Sequence, residues 1–180
     1  IHEILGGSLR NAIPRESKAI VVIDTISKEP FFFEMNELIN DITTEYKSLE
    51  PNLSITFSET DTPNTVMEYG AQEGFIKSIH AALNGVYRMS PDIAGLVETS
   101  NNIAKIIVKD GLIQVNCLTR SSSESNKTDL ANSLCSAFEL SGFDVEFSGA
   151  YPGWLPNIDS DILNVLDKLS PPKPKLPPTL

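Results

Sequence analysis

Ile103-Ala104-Lys105-Ile106-Ile107-Val108-Lys109-Asp110-Gly111-Leu112-Ile113-Gln114-Val115-Asn116-Cys117-Leu118 sets two apolar, β-branched runs about a short polar break. Asp-Gly between such runs is a strong hairpin signal, because both residues tolerate the positive φ of a tight turn. Two antiparallel strands are expected over 103–108 and 112–118. If the second continues to Arg120, alternation puts Ile113, Val115 and Cys117 on one face and Gln114, Asn116 and Arg120 on the other. Leu118 is the apolar exception on the polar side.

Outward from the hairpin, helices and further strands are expected. Met35, Leu38, Ile39, Ile42, Tyr46 and Leu49 recur at helical spacing after a possible cap at Ser27, and Pro51-Asn52 stops the run. Phe75, Ile76, Ile79 and Leu83 form a second stripe with Gly85 placed to close it. Leu130, Leu134, Ala137 and Phe138 form a third, capped by Ser125 or Asn126 and ended by Gly142. Ala19-Ile20-Val21-Val22-Ile23 reads as a buried strand, and the alternation over 53–57 and 144–148 predicts two more. Strands and helices thus mix without a strict β-α-β repeat. The expected class is α+β, with a ferredoxin-like antiparallel sheet and helices packed on one face. Residues 1–156 are taken as that domain. Over 157–180 a helix near 159–169 precedes Pro171, Pro172, Pro174, Pro177 and Pro178, which favour an extended tail.

The 180 residues suffice for one domain with a real core. A net charge of -10, with 14 scattered basic residues, argues against a nucleic-acid partner. No apolar run approaches the ~20 residues that cross a bilayer, and no signal peptide opens the chain, so no membrane partner is expected and the cytosol is the default. A chain opening on Ile1 rather than Met is expected to be cut from a longer one. Cys117 and Cys135 read as buried structural thiols.

Chemistry is sparse. A hydrolytic metal centre needs several His and carboxylate ligands, and the only histidines are His2 at the terminus and His80 within a helix. Ser121-Ser122-Ser123 has no surrounding elbow and no base, so a polar loop leading to a helix cap is the plainer reading. Gly6-Gly7 lacks the rest of a phosphate loop. Phe31-Phe32-Phe33 is either a sticky surface patch or the start of a core helix. Arg120, at a strand end on the polar face, could grip a carboxylate bidentately, or could be a solvated surface residue. Asn11 lies in a segment that Pro14 is expected to hold extended. It could present its amide to a ligand or only satisfy a turn.

Four runs carry a family resemblance. They are Gly6-Gly7-Ser8-Leu9-Arg10-Asn11-Ala12-Ile13-Pro14-Arg15-Glu16, Asp92-Ile93-Ala94-Gly95-Leu96-Val97-Glu98-Thr99-Ser100-Asn101-Asn102, Cys117-Leu118-Thr119-Arg120-Ser121, and Leu140-Ser141-Gly142-Phe143 followed by Gly149-Ala150-Tyr151-Pro152-Gly153-Trp154. In this order they resemble the cytosolic Xaa-His (aminoacyl-histidine) dipeptidases, a family of two-zinc metallopeptidases. In that family a catalytic domain is interrupted by an α+β lid, also called the dimerisation domain, and this chain looks like the lid. The resemblance implies that two zinc ions belong to a catalytic domain elsewhere in the same longer chain. It implies a dipeptide substrate, a homodimer formed through the lid, and no metal site within residues 1–180. It also implies that Arg120 binds the substrate's C-terminal carboxylate, while Asn11 polarises the scissile carbonyl or holds the oxyanion. The other readings are a stand-alone ferredoxin-like module for a small ligand, and a structural self-association domain pairing through a strand edge.

Overall fold

The long strand β4 (Val97–Lys109) is the backbone of the molecule in the computed structural model, which describes residues 1–154, 157 and 160–169. Asp110 (φ 52°) and Gly111 (φ 79°) turn it into β5 (Leu112–Ser121), as the sequence predicts. β5 lies along one edge of β4. The other edge is shared end to end by β1 (Glu3–Gly6), at Ile106 to Val108, and β3 (Gly85–Met89), at Val97 to Asn101. β2 (Ser17–Ile20) pairs only with β1, and every pairing is antiparallel.

Three helices flank or precede this sheet: α1 (Lys28–Tyr46), α2 (Tyr69–Ala81) and α3 (Glu124–Glu139). α2 and α3 cover one face. Leu130, Leu134 and Phe138 of α3 meet Ile79, Ala82 and Leu83 beneath α2, and both sets pack on Ile103, Val115 and Cys117. The α+β expectation therefore holds, with the hairpin set between α2 and α3 as in the ferredoxin-like plan. α1 is different, since none of its residues is buried. It meets the 53–59 segment through Phe32 against Phe57 (ring centroids 5.1 Å apart) and Lys28 with Glu59 (2.7 Å). Phe33 is 68% exposed, so the three phenylalanines do not begin a core helix. A fourth helix, α4 (Asp161–Leu169), matches the one expected near 159–169, and the proline-rich end lies outside the described residues.

Several local expectations are corrected. The β-branched run over 19–23 is not a buried strand: β2 stops at Ile20 on the outer edge, and Ser17, Lys18 and Ala19 are exposed. Residues 53–57 and 144–148 carry no strand, although Val145 still packs on the core. Their alternation recorded one-sided burial without a ladder. Gly85, with φ 101°, opens β3 rather than closing α2. At α3 the cap is Ser123, whose hydroxyl accepts from Asn126 N–H, rather than Ser125 or Asn126. Ser27 does precede α1, but its hydroxyl caps nothing; instead Asp24 Oδ1 accepts the Ser27 N–H at 2.7 Å. Cys117 and Cys135 are free and half-buried rather than deeply buried, and burial pushes both thiols up from their ordinary range.

Candidate functional site

The register of the hairpin decides where Arg120 points. Ile103 pairs with Cys117 and both face α2 and α3. Neighbouring positions project oppositely, so the next pairs, Asn102 with Leu118 and Ser100 with Arg120, share the face the helices leave open. Arg120 is exposed there, as alternation in the sequence predicts.

Asn11 reaches the same region from the other end of the chain. It sits in the loop between β1 and β2, which closes through Gly7 N–H to the Glu16 carbonyl at 3.0 Å. Gly7 has φ 68°, and a Cβ there would fall 2.0 Å from the Ala104 carbonyl oxygen, so only glycine allows the loop to leave β1 so close to β4. The segment is a turn rather than the expected extended approach: Ala12 N–H returns to the Leu9 carbonyl at 3.1 Å, leaving Asn11 exposed at the bend. Asn102 Nδ2 then donates to the Ala12 carbonyl at 2.8 Å. That bond ties the residue next to Asn11 to a β4 position only two residues, about 7 Å, from the partner of Arg120.

The strand end under Arg120 is held by a polar network that sequence reasoning missed. Thr99 and Asn101, both buried, face the helices; Asn101 Nδ2 donates to the Leu83 carbonyl at 2.7 Å, and Thr119 Oγ1 donates to Asn101 Oδ1 at 3.1 Å. The Thr99 and Ser121 hydroxyls share a bond at 2.8 Å, and Ser121 Oγ accepts Ser123 N–H at 3.0 Å. Ser121-Ser122-Ser123 is thus a polar link into the α3 cap, as the plainer reading has it. Glu98, its side chain only 9% exposed, accepts from Asn126 Nδ2 at 2.6 Å and from Arg88 Nε at 3.3 Å. Its own carbonyl takes Ser122 N–H at 3.1 Å. Charged and polar donors thus converge on a side chain that is almost enclosed. These partners lie 10 to 28 residues from Glu98 in sequence, so only the fold could reveal them.

Gly149-Ala150-Tyr151-Pro152-Gly153-Trp154 lies against Arg10 at one end and Ser121 and Ser122 at the other, the chain neighbours of the two candidate residues. Arg10 Nη1 donates to Ser148 Oγ at 3.4 Å, with Nη2 3.0 Å from where a Cβ on Gly149 would stand. Two runs 138 residues apart are so brought together.

A metal centre does not fit these residues. Among the described residues no group of three His, Cys, Asp or Glu side chains is placed to hold an ion. His2 Nδ1 sits 2.8 Å from the Thr65 carbonyl oxygen, and His80 is exposed near the end of α2. No helix among the described residues is long and apolar enough to cross a membrane.

No family model matches this chain. It is 31% identical over 161 residues to the cytosol non-specific dipeptidase of Escherichia coli (strain K12), an alignment covering 89% of this chain and 33% of that protein. Its fold superposes on the crystal structure of aminoacylhistidine dipeptidase from Vibrio alginolyticus with a TM-score of 0.86 and 36% identity, over 93% of this chain and 34% of that one. The chain is homologous to a part of these dipeptidases and spans about a third of their length.

Proposed function

We propose, on the premise of that homology, that this chain is the lid of a zinc-dependent dipeptidase of the Xaa-His type, closing over the bound substrate. Arg120 binds the C-terminal carboxylate of the dipeptide, because a guanidinium at a strand end presents a planar fork to both carboxylate oxygens. Asn11 donates its amide to the scissile carbonyl oxygen, where negative charge grows in the transition state. Closure of the lid excludes water, which strengthens both contacts. The two zinc ions belong to the remaining two-thirds of the longer protein, and this chain contributes only positioning and electrostatics. The protein works in the cytosol, and its lids pair in a homodimer.

The observation that carries this reading is the bond from Asn102 to the Ala12 carbonyl. It fixes the Asn11 turn to the strand that pairs with Arg120, on the open face of the sheet. That bond supports reading Asn11 and Arg120, far apart in sequence, as parts of one site.

The test is made in the full-length protein. Arg120→Ala is expected to lower kcat/KM for a dipeptide roughly 10- to 100-fold, the worth of a charge-assisted pair. Asn11→Ala is expected to lower kcat about 100- to 1,000-fold, as for loss of an oxyanion donor. Metal content and melting temperature should stay put, since both side chains are exposed. Unchanged kinetics in both variants would remove the residues from the site.

A further inference from the structure

The Tyr151-Pro152-Gly153-Trp154 run has no part in the chemistry above, yet side chains of α3 grip its backbone. Glu124 Oε1 accepts the Gly153 N–H and, at 2.8 Å, a proton of the Lys127 ammonium. Lys127 Nζ donates in addition to the Tyr151 carbonyl at 2.6 Å. The Lys127 side chain is only 19% exposed, so its charge is directed largely at these two acceptors.

The run is pressed against one particular place. A Cβ on Gly153 would lie 2.8 Å from the Ser121 carbonyl oxygen and 2.9 Å from that of Ser122. These are the two residues that follow Arg120. On their other side stand the Thr99 hydroxyl, bonded to Ser121, and the Glu98 carbonyl, bonded to Ser122 N–H. The strand end is therefore braced from both flanks, by β4 on one and by the gripped run on the other. Only a residue without a side chain permits the second brace.

We propose that Glu124, Lys127 and Gly153 form a clasp that positions Arg120. They are positioning residues: none touches the substrate, and they act by fixing the backbone from which the guanidinium projects. A loosened strand end spreads the guanidinium over more orientations, and the entropy of re-ordering it then falls on the carboxylate contact. The clasp rests on the reading of Arg120 as the carboxylate anchor.

Lys127→Met tests it, because methionine keeps the apolar stem and removes the ammonium. In the present chain, amide exchange at Gly153 is expected to accelerate, and Trp154, the sole tryptophan, reports the release of its segment through fluorescence anisotropy. In the full-length protein, kcat/KM should fall about tenfold, chiefly through KM, the size of one charged hydrogen bond. Lys127→Arg should restore most of it. In an Arg120→Ala background the same change should cost nothing further, because the residue it serves is gone. An equal, additive loss in both backgrounds would overturn the proposal, as would unaltered kcat/KM where Arg120→Ala is impaired; the dipeptidase reading survives either result. Full activity of Arg120→Ala would overturn both, while Gly153 exchange would still show whether the clasp exists.

Discussion

α1 and α3 are similar helices with opposite fates. Each carries an apolar stripe at helical spacing, and α1 is the longer, with 19 residues against 16. Yet α3 buries Leu130, Leu134 and Phe138 against β4, β5 and α2, while α1 buries nothing. The stripe on α1 is left half open, with Leu38 51% exposed. Periodicity in a sequence therefore records that a helix has an apolar side. It does not record what covers that side, and most helical stability in proteins comes from the cover. The core of this chain is the hairpin with α2 and α3; α1 stands outside it and meets the 53–59 segment through Phe32 and Lys28.

The contrast can be broken most easily at Leu130, which is 1% exposed. Leu130→Ala should cost about 2–5 kcal/mol in denaturant unfolding of the chain, from lost transfer energy and the cavity left behind. A cost near zero would mean that α3 is no better anchored than α1. A smaller effect belongs to the clasp at the start of α3. The Glu124 carboxyl is held below its usual value of 4.5, first by the Lys127 ammonium and then by the Gly153 N–H. A depressed carboxyl stabilises the fold above its unfolded value, and that contribution disappears as pH falls through the lower folded one. Trp154 anisotropy should thus hold steady above pH 4.5 and drop below it, with Lys127→Met moving the transition upward. A transition unmoved by that substitution would place the proton elsewhere. The smallest effect is expected on α1, where Leu38→Ala should change unfolding by no more than ~0.5 kcal/mol. A loss as large as that of Leu130 would show that α1 has a buried partner after all.

Legibility followed the range of the interactions. The hairpin could be read because its turn chemistry and alternation are local. β4, however, begins at Val97, six residues before the apolar run. Glu98, Thr99, Ser100, Asn101 and Asn102 look like a loop, and they sit in a strand because Leu83, Asn126, Ser121 and Ala12 satisfy them from afar. β3 left no trace for a related reason: all five of its residues are exposed, so no burial pattern marks it. The run over 19–23 misled in the other direction. Branched side chains announced a buried strand at a position the sheet leaves on its rim. The exposed, open-face position of Arg120 followed from alternation, whereas a carboxylate-binding role for it came only from the family-like run around it. Asn11 stood out through the family-like run around it, and its turn came as a surprise despite Pro14. Asn102, Glu124 and Lys127 were silent, since nothing in an asparagine or an acid-base pair on a helix names a partner 24 to 90 residues away.

The account stands on Arg120 gripping a carboxylate, and substrate pairs differing only there test it most directly. The full-length protein should hydrolyse a dipeptide at least about tenfold faster, in kcat/KM, than the same dipeptide with an amidated C-terminus. In Arg120→Ala the two substrates should become nearly equal, the free acid having lost its advantage. An Arg120→Ala protein that keeps the full preference for the free acid would contradict the account.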